Sequence, residues 1–199
     1  MTAPLTVVVA DDRRTRRAAV GLAAWGAGYA AYRFYYALGG QVGMIGRPAP
    51  EAHFRRDNLI GGAIILLAAL VPSVAVRAWR HPPLRRLVAV VGWVAAVGFC
   101  MHALTLMILR LLSLTGVHAS HVPPGLWLSI DRRNADLQDL LFNEPWFCIE
   151  GCLWAAFAVT AVQPSSRRYW RRSVIVACGL AAAVGVLSGL GAVPTVRAD

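Results

Sequence analysis

Long apolar segments separated by short clusters of arginine constrain this chain more than any other feature. Each segment approaches or exceeds the roughly 20 residues that an α-helix needs to cross the hydrocarbon core of a bilayer. With 57% hydrophobic and only 15% charged residues, the chain is too apolar for a soluble domain. The pattern predicts an all-α polytopic membrane bundle of five transmembrane helices. The five segments lie at about 18–38, 58–76, 87–113, 144–163 and 173–193.

The distribution of arginine predicts the orientation of the bundle. Twelve arginines lie in the N-terminal tail and in the loops after the second and fourth segments, and six lie in the other connections and at the C-terminal end. Because cytoplasmic loops carry the excess of basic residues, we expect a plasma-membrane protein with a cytoplasmic N-terminus and an outer C-terminus. The predicted domains are a cytoplasmic tail (1–17), a transmembrane domain (18–193) and a C-terminal tail (194–199).

The formal charge of +10 does not indicate a nucleic-acid partner. The arginines stand between apolar runs and do not gather on one reading element, so the predicted partner is the lipid bilayer. The glycine-rich loop 39–57 lacks a dinucleotide fingerprint, and no cofactor is predicted. His118 and His121 lie near several aspartates, but their spacing matches no strong zinc pattern. We therefore predict no metal.

The connection 114–143 contains a second kind of helix signal. Trp127, Ile130, Leu137 and Leu141 fall near one helical face, and the charged residues lie mostly elsewhere. This pattern is typical of an amphipathic helix that lies in the membrane interface. We expect such a helix between the third and fourth spans, at the outer end of the bundle.

The fourth apolar segment carries an ionisable residue, Glu150. An ionisable side chain inside a span costs at least a few kcal/mol and usually faces a partner or a cavity. Helical spacing therefore predicts that Glu150 looks into the bundle at outer-leaflet depth, between two indole rings. Its stripe consists of Asn143, Trp146, Phe147, Glu150, Trp154 and Phe157.

Two other spans carry polar residues that can reach the same depth. The first has Tyr29, Tyr32, Arg33 and Tyr36 on one face, and the third has His102 and Arg110. The tyrosines are also compatible with an ordinary aromatic belt. The simplest arrangement is an ion pair of Glu150 with Arg33 or Arg110, since pairing makes a buried charge tolerable.

The four cysteines all lie inside apolar runs, so a disulfide framework in an outer loop is excluded. Cys148 and Cys152 are one helical turn apart, a spacing that a redox pair could use. Small apolar residues in helix packing are the simpler interpretation, and Cys100 and Cys178 fit it equally well.

Four short motifs stand out along the chain: Ala37-Leu38-Gly39-Gly40, Gly43-Met44, Asn58-Leu59 and Phe142-Asn143-Glu144-Pro145-Trp146-Phe147. Together they resemble an actinobacterial family of small integral membrane proteins that has no assigned function. The resemblance spans about residues 18–163 and implies a membrane location. A looser resemblance in size and architecture exists to sterol-isomerase-type enzymes and to membrane terpene cyclases, which protonate a lipid with an intramembrane acid.

Two functions follow from these residues. The first is binding of a lipid-like or amphipathic molecule, or of a membrane partner, in an outer-leaflet polar pocket; a homo-oligomer stays open. The second is an isomerase or cyclase in which Glu150 is the general acid and His102 or Glu144 takes the proton back. The predicted binding residues are Trp146, Trp154, Phe147, Tyr29, Tyr32, Tyr36, Arg33 and Arg110.

Overall fold

The structure is a computed structural model that describes residues 12–77, 81–119 and 125–192. Helices form almost all of it. A π-helical turn (Asp139–Asn143) joins α4 to α5, and short 3-10 turns (Val159–Ala161, Pro164–Ser166) join α5 to α6. The elements are α1 (Asp12–Ala37), β1 (Gly46–Pro48), α2 (Glu51–Arg77), α3 (Pro82–Leu114), β2 (Trp127–Ile130), α4 (Arg132–Gln138), α5 (Glu144–Ala158) and α6 (Arg167–Gly189).

Three helical stretches are long and apolar enough to cross a membrane: α2, α3 and Pro164–Gly189. Large apolar side chains such as Leu67, Val94 and Leu180 cover their outer surfaces. Contiguous apolar surface of this kind is typical of helices that face lipid or a protein partner. The predicted all-helical architecture is confirmed, and three of the five predicted spans are supported. In the described residues, α1 and α5 do not meet the same criteria of length and hydropathy, and α5 has only 15 residues.

The helices pack side by side in the order α2, α1, α5, α3, α6. Glycines let neighbouring backbones approach closely, as is common between membrane helices. A Cβ atom at Gly26 of α1 would lie 2.7 Å from Ala69 of α2, and one at Gly185 of α6 would lie 2.5 Å from Thr105 of α3. Gly189, one turn further along α6, lies in the same way against Leu109 of α3.

The arginine-rich connections meet at one end of the bundle. Arg85, near the start of α3, donates a hydrogen bond from Nη2 to the carbonyl oxygen of Ala161 at 3.4 Å. A buried apolar cluster beside this contact includes Ala19, Phe157 and Val174 from three helices. The opposite end of the bundle carries the two strands and most of the buried polar groups.

Two helices begin earlier than the sequence predicts. The first is described from Asp12, so residues 12–17 are helical; residues 1–11 and 193–199 lie outside the described chain. The second starts at Glu51. Asn58 therefore lies inside α2, where its Nδ2 donates to the Phe54 carbonyl oxygen at 2.8 Å.

The predicted interfacial helix between the third and fourth spans is also wrong as a separate element. Its first part, Trp127–Ile130, is strand β2, which pairs with β1 in antiparallel register, Gly46 opposite Ile130. Its second part continues through the π-helical turn into α5 without a break. For the same reason Asn143, the predicted cap of the fourth span, makes no capping hydrogen bond. His121, a weak metal candidate, lies outside the described residues.

We expect Gly92→Ala to lower the midpoint of thermal unfolding in detergent. The added Cβ would collide with the Cβ of Ala158 at the contact between α3 and α5, and overpacking of this kind costs ~1–3 kcal/mol. Gly98→Ala is the matched control, because a Cβ there meets nothing within 4 Å. Alanine favours helix formation by up to ~1 kcal/mol over glycine, so equal losses in both variants would contradict the packing argument.

Candidate functional site

A small cavity of about 140 Å³ lies between α1, α2 and the π-helical turn, beneath the β1–β2 strands. It sits at the end of the bundle that is remote from the arginine-rich connections. Its wall is largely aromatic and amide, with one guanidinium group and no carboxylate. The lining residues are Tyr29, Tyr32, Arg33, Tyr36, Gly43, Met44, Ile45, Phe54, Asn58, Trp127, Gln138 and Asn143.

Arg33 gives the cavity its charge. The guanidinium lies over Gly61 of α2, where the absence of a side chain leaves room: a Cβ there would come within 3.1 Å of an Nη atom. Its Nε is buried without a hydrogen-bond partner. In the part of the chain that the structure describes, no carboxylate lies within 4.0 Å of Arg33. A partly buried cation without a counterion is a strong attractor for an anionic group.

Two amide side chains add unsatisfied acceptors to the same wall. The Oδ1 atoms of Asn58 and Asn143 are buried and lack hydrogen-bond partners. The amide nitrogen of each is already used, by the Phe54 carbonyl for Asn58 and by Asp139 Oδ1 at 2.8 Å for Asn143. Buried polar atoms are nearly always hydrogen-bonded in native proteins. With the Nε atom of Arg33, three such atoms lie around one cavity, which makes it the candidate binding site.

The tyrosines of α1 form the aromatic side of the cavity and are fixed by contacts. Tyr32 lies 4.9 Å from Tyr36 between ring centroids, and its hydroxyl accepts a hydrogen bond from Gln138 Nε2 at 3.1 Å. Tyr36 donates from its hydroxyl to the Val42 carbonyl oxygen at 3.2 Å. Tyr29 and Tyr36 are only 5% and 6% exposed. These rings therefore face the bundle interior, and they do not form a lipid-facing belt.

A charged network lies next to the cavity and holds the π-helical turn. Arg110 of α3 contacts Asp139 through Nε at 2.9 Å and Asp136 through Nη1 at 3.3 Å. Ser113 donates a hydrogen bond to Asp136, and Asp139 also accepts from Asn143. One guanidinium thus serves two buried carboxylates. π-helical turns of this type frequently mark functional sites, and this one places Asn143 at the cavity.

A second acid–base pair lies one turn further along α5. Glu144 is buried, and its Oε2 lies 3.7 Å from Nε2 of His102, too far for a hydrogen bond. The His102 side chain is 49% exposed and its ring packs edge-on against Phe147 at 5.3 Å. These residues, predicted to exchange a proton with Glu150, form their own pair beside the charged network.

Glu150 points into the bundle, as its stripe predicts, and is 6% exposed. Its Oε1 lies at the seam of α1 and α2, 3.9 Å from the position of a Cβ on Gly26. The predicted ion pair with Arg33 or Arg110 is wrong. Arg110 is engaged by two aspartates, and Gly26 lies seven residues before Arg33, about 10 Å along α1. No described residue forms a hydrogen bond or an ion pair with the Glu150 carboxyl group.

The indole rings predicted to flank Glu150 are engaged in helix packing. Trp146 stacks on Trp25 of α1 with 4.0 Å between ring centroids, and the Trp25 Nε1 donates to the Trp146 carbonyl oxygen at 3.1 Å. Trp154 is buried in the apolar cluster near the arginine-rich end. Phe147 packs on Tyr29 at 5.1 Å. These contacts join α5 to α1 and α3.

The structure therefore divides the predicted site residues into two groups. Tyr29, Tyr32, Arg33 and Tyr36 line one cavity, whereas Glu150, Trp146, Phe147, Trp154, His102, Glu144 and Arg110 pack outside it. Sequence reasoning missed Asn58, Gln138, Asp136 and Asp139. The helical stripe of Glu150 would have included Asp139 if it had been extended by four residues before Asn143. It was not extended because the helix was predicted to begin near Asn143.

Comparisons with known proteins do not assign a family. No protein-family model matches the chain, and neither a curated protein nor a solved structure matches it. The resemblance to the small actinobacterial membrane proteins stays a prediction. The functional argument therefore depends on the geometry of the site.

We expect Arg110→Gln to lower the free energy of unfolding by ~3–5 kcal/mol, because the buried Asp136 and the half-buried Asp139 lose the one cation that lies within 4.0 Å of them among the described residues. Unfolding in mixed detergent would measure it, and Arg110→Gln/Asp139→Asn should recover part of the loss. Arg55→Gln is the control: its pair with Glu51, at 2.7 Å, is exposed, and such a pair contributes ~0.3–0.5 kcal/mol. Similar losses of free energy of unfolding in Arg110→Gln and Arg55→Gln would contradict a special stabilising role of Arg110.

Proposed function

We propose that the protein is an integral membrane protein that binds the anionic headgroup of an amphipathic molecule in the cavity beside Arg33. The observation that carries the proposal is a buried guanidinium nitrogen that has neither a hydrogen-bond partner nor a nearby carboxylate. The cavity wall contains no acidic side chain that would compete with the ligand. Arginine is well suited to such a site because its planar fork matches phosphate and carboxylate oxygens.

The size of the cavity limits what enters it. Its volume of about 140 Å³ is below the roughly 300–1,000 Å³ of sites that enclose a whole drug-sized molecule. A phosphate-sized or glycerol-phosphate-sized headgroup fits, whereas the acyl chain of a lipid does not. We infer that the headgroup occupies the cavity while the hydrocarbon chain stays against the outer surface of the helices. A lipid-like ligand can make both contacts, whereas an entirely polar metabolite has no hydrocarbon chain to place against the helices.

The two unsatisfied amide oxygens restrict the chemical groups that the headgroup can carry. Asn58 and Asn143 offer acceptors, so a headgroup that carries hydroxyl donors beside its anionic oxygens would satisfy all three unpaired atoms. A buried acceptor left without a donor costs ~1–3 kcal/mol. A glycerol-bearing anionic headgroup meets the requirement, whereas a choline headgroup offers no hydroxyl donor and carries a positive charge beside Arg33.

The proposed location of the cavity is the outer leaflet. The arginine-rich connections lie at the other end of the bundle, and the excess of basic residues favours the cytoplasmic side. We further propose that α1 and the helix α4–α5 complete a five-helix membrane bundle, because both pack between α2 and α3. Their polar faces would then be shielded from lipid by their neighbours.

The binding test compares three probes on the purified full chain in detergent: dioctanoylphosphatidylglycerol, dioctanoylphosphatidylcholine and inorganic phosphate. We expect dioctanoylphosphatidylglycerol to bind most tightly and Arg33→Gln to weaken its binding by roughly 10- to 100-fold, as expected for loss of ~1.5–3 kcal/mol of charge-assisted hydrogen bonding. Inorganic phosphate should bind far more weakly, because it lacks the hydrocarbon contact. Microscale thermophoresis would report the dissociation constants.

Arg56→Gln is the matched control, since Arg56 is exposed, pairs with Asp57 and lines none of the cavities described. It should leave binding unchanged. Arg33→Lys keeps the positive charge but loses the planar guanidinium group. Its affinity for the glycerol probe should lie between those of the wild type and Arg33→Gln, and this variant keeps the test valid if Arg33→Gln does not fold. Equal binding of the choline and glycerol probes, or no effect of either Arg33 variant, would overturn the proposal.

A second function is supported by one specific observation, the burial of Glu150 without a counterion or hydrogen bond from any described residue. A carboxyl group in that position can act as a general acid toward a hydrophobic substrate. The proposed alternative is an isomerase or cyclase that protonates an isoprenoid-like lipid. Glu150 does not line any of the three cavities described, so headgroup binding has the stronger support.

For the enzymatic alternative, we expect Glu150→Gln to abolish turnover of an isoprenoid-like lipid while the protein still accumulates in the membrane. The amide has nearly the same shape as the acid but cannot donate the required proton. Mass spectrometry of lipid extracts would measure the product, and Glu51→Gln, at an exposed position, would be the control. Retained turnover in the Glu150 variant would exclude this role.

A further inference from the structure

Three of the four cysteines converge at the contact between α3 and α5. The sulfur atoms of Cys100, Cys148 and Cys152 all lie within 4.8 Å of one another. All four cysteines are free thiols. The sequence favours simple packing for these residues, yet two helices bring three sulfurs to one point. This cluster is separate from the cavity beside Arg33.

The backbone of α5 makes room for the cluster. Gly151 lies between Cys148 and Cys152, and a Cβ at this position would lie 2.5 Å from the Cys100 sulfur. Cys100 also directs its thiol at α5, 3.8 Å from the Cys148 carbonyl oxygen. A larger residue at Gly151 would push the third sulfur away from the other two.

We propose that Cys100, Cys148 and Cys152 bind one soft monovalent cation of the Cu(I) type. Thiolates are soft ligands that select Cu(I) over hard cations. Three sulfurs that surround one ion at a bond length of about 2.3 Å lie about 4 Å apart. The observed limit of 4.8 Å therefore requires each side chain to move by less than about 1 Å.

The number of ligands favours Cu(I) over a structural zinc ion. Structural zinc sites hold four protein ligands in a tetrahedron, whereas the described cluster contains three. The cation forms bonds to the three sulfurs as thiolates, and the three displaced thiol protons pass to solvent or buffer.

An ionisable pair lies next to the cluster on the side of the polar end of the bundle. Glu144, Cys148 and Cys152 follow one another at four-residue steps, so they share one face of α5. Glu144 lies beside His102, whose side chain is half exposed.

Anaerobic titration of the full chain in detergent with Ag(I), and with Cu(I) against a chromogenic chelator, tests the proposal. We expect one ion per chain and a sulfur-only coordination shell at about 2.2–2.3 Å by X-ray absorption. Cys100→Ser, Cys148→Ser and Cys152→Ser should each weaken binding by more than the roughly 10- to 100-fold typical for loss of an outer-shell partner. Tighter binding of Zn(II) than of Cu(I) would overturn the proposal.

Cys178→Ser tests whether the fourth thiol takes part, because Cys178 lies outside the three-sulfur group but its thiol contacts that of Cys100. It should retain the affinity of the wild type, and an equal loss would overturn the three-ligand site. A second measurement needs no variant. Bound Ag(I) should protect Cys152, the exposed member, from maleimide labelling; unchanged labelling at one bound equivalent would also contradict the proposal.

Discussion

The contact of Arg110 with two aspartates is the interaction on which the polar end of the bundle depends. It places one cation beside both Asp136 and Asp139, at a partly buried position where an unpaired charge would be strongly destabilising. The same contact holds the π-helical turn and, through Asp139, fixes the amide of Asn143. Because Arg110 takes these carboxylates, Arg33 is left without one. The positive charge of the cavity is the unpaired guanidinium group of Arg33, since the two aspartates pair with Arg110.

The two ends of the molecule differ in the kind of side chain that they bury. At the arginine-rich end, apolar side chains such as Phe157 and Ala161 fill the core, and the charges face outward. At the other end, tyrosines, amides and carboxylates are buried together under two short strands. Burial of polar groups is tolerated only where partners satisfy them. Among the buried atoms that lack hydrogen-bond partners, those of Arg33, Asn58 and Asn143 lie around one cavity.

Sequence reasoning found the helices but not their ends. Hydropathy shows where apolar side chains begin, whereas α1 and α2 extend beyond that point through Arg16 and His53, since charged residues also form good helices at a membrane surface. The predicted pair of Glu150 with an arginine was wrong for a related reason. Depth in the membrane limits which residues can meet, but rotation of each helix decides which do meet. Rotation here follows from glycine contacts such as Gly26 with Ala69.

By itself the sequence determined the class of the protein and the stripes of its helices. Twenty-residue apolar runs leave few alternatives to membrane helices, and the 3.6-residue period places Tyr29, Tyr32, Arg33 and Tyr36 on one face. Only the tertiary structure decided which stripes face each other. It brought Asn58 of α2 and Asn143 of the π-helical turn to that face, and it joined Cys100 to Cys148 and Cys152. Such contacts depend on packing between distant segments, which local periodicity does not encode.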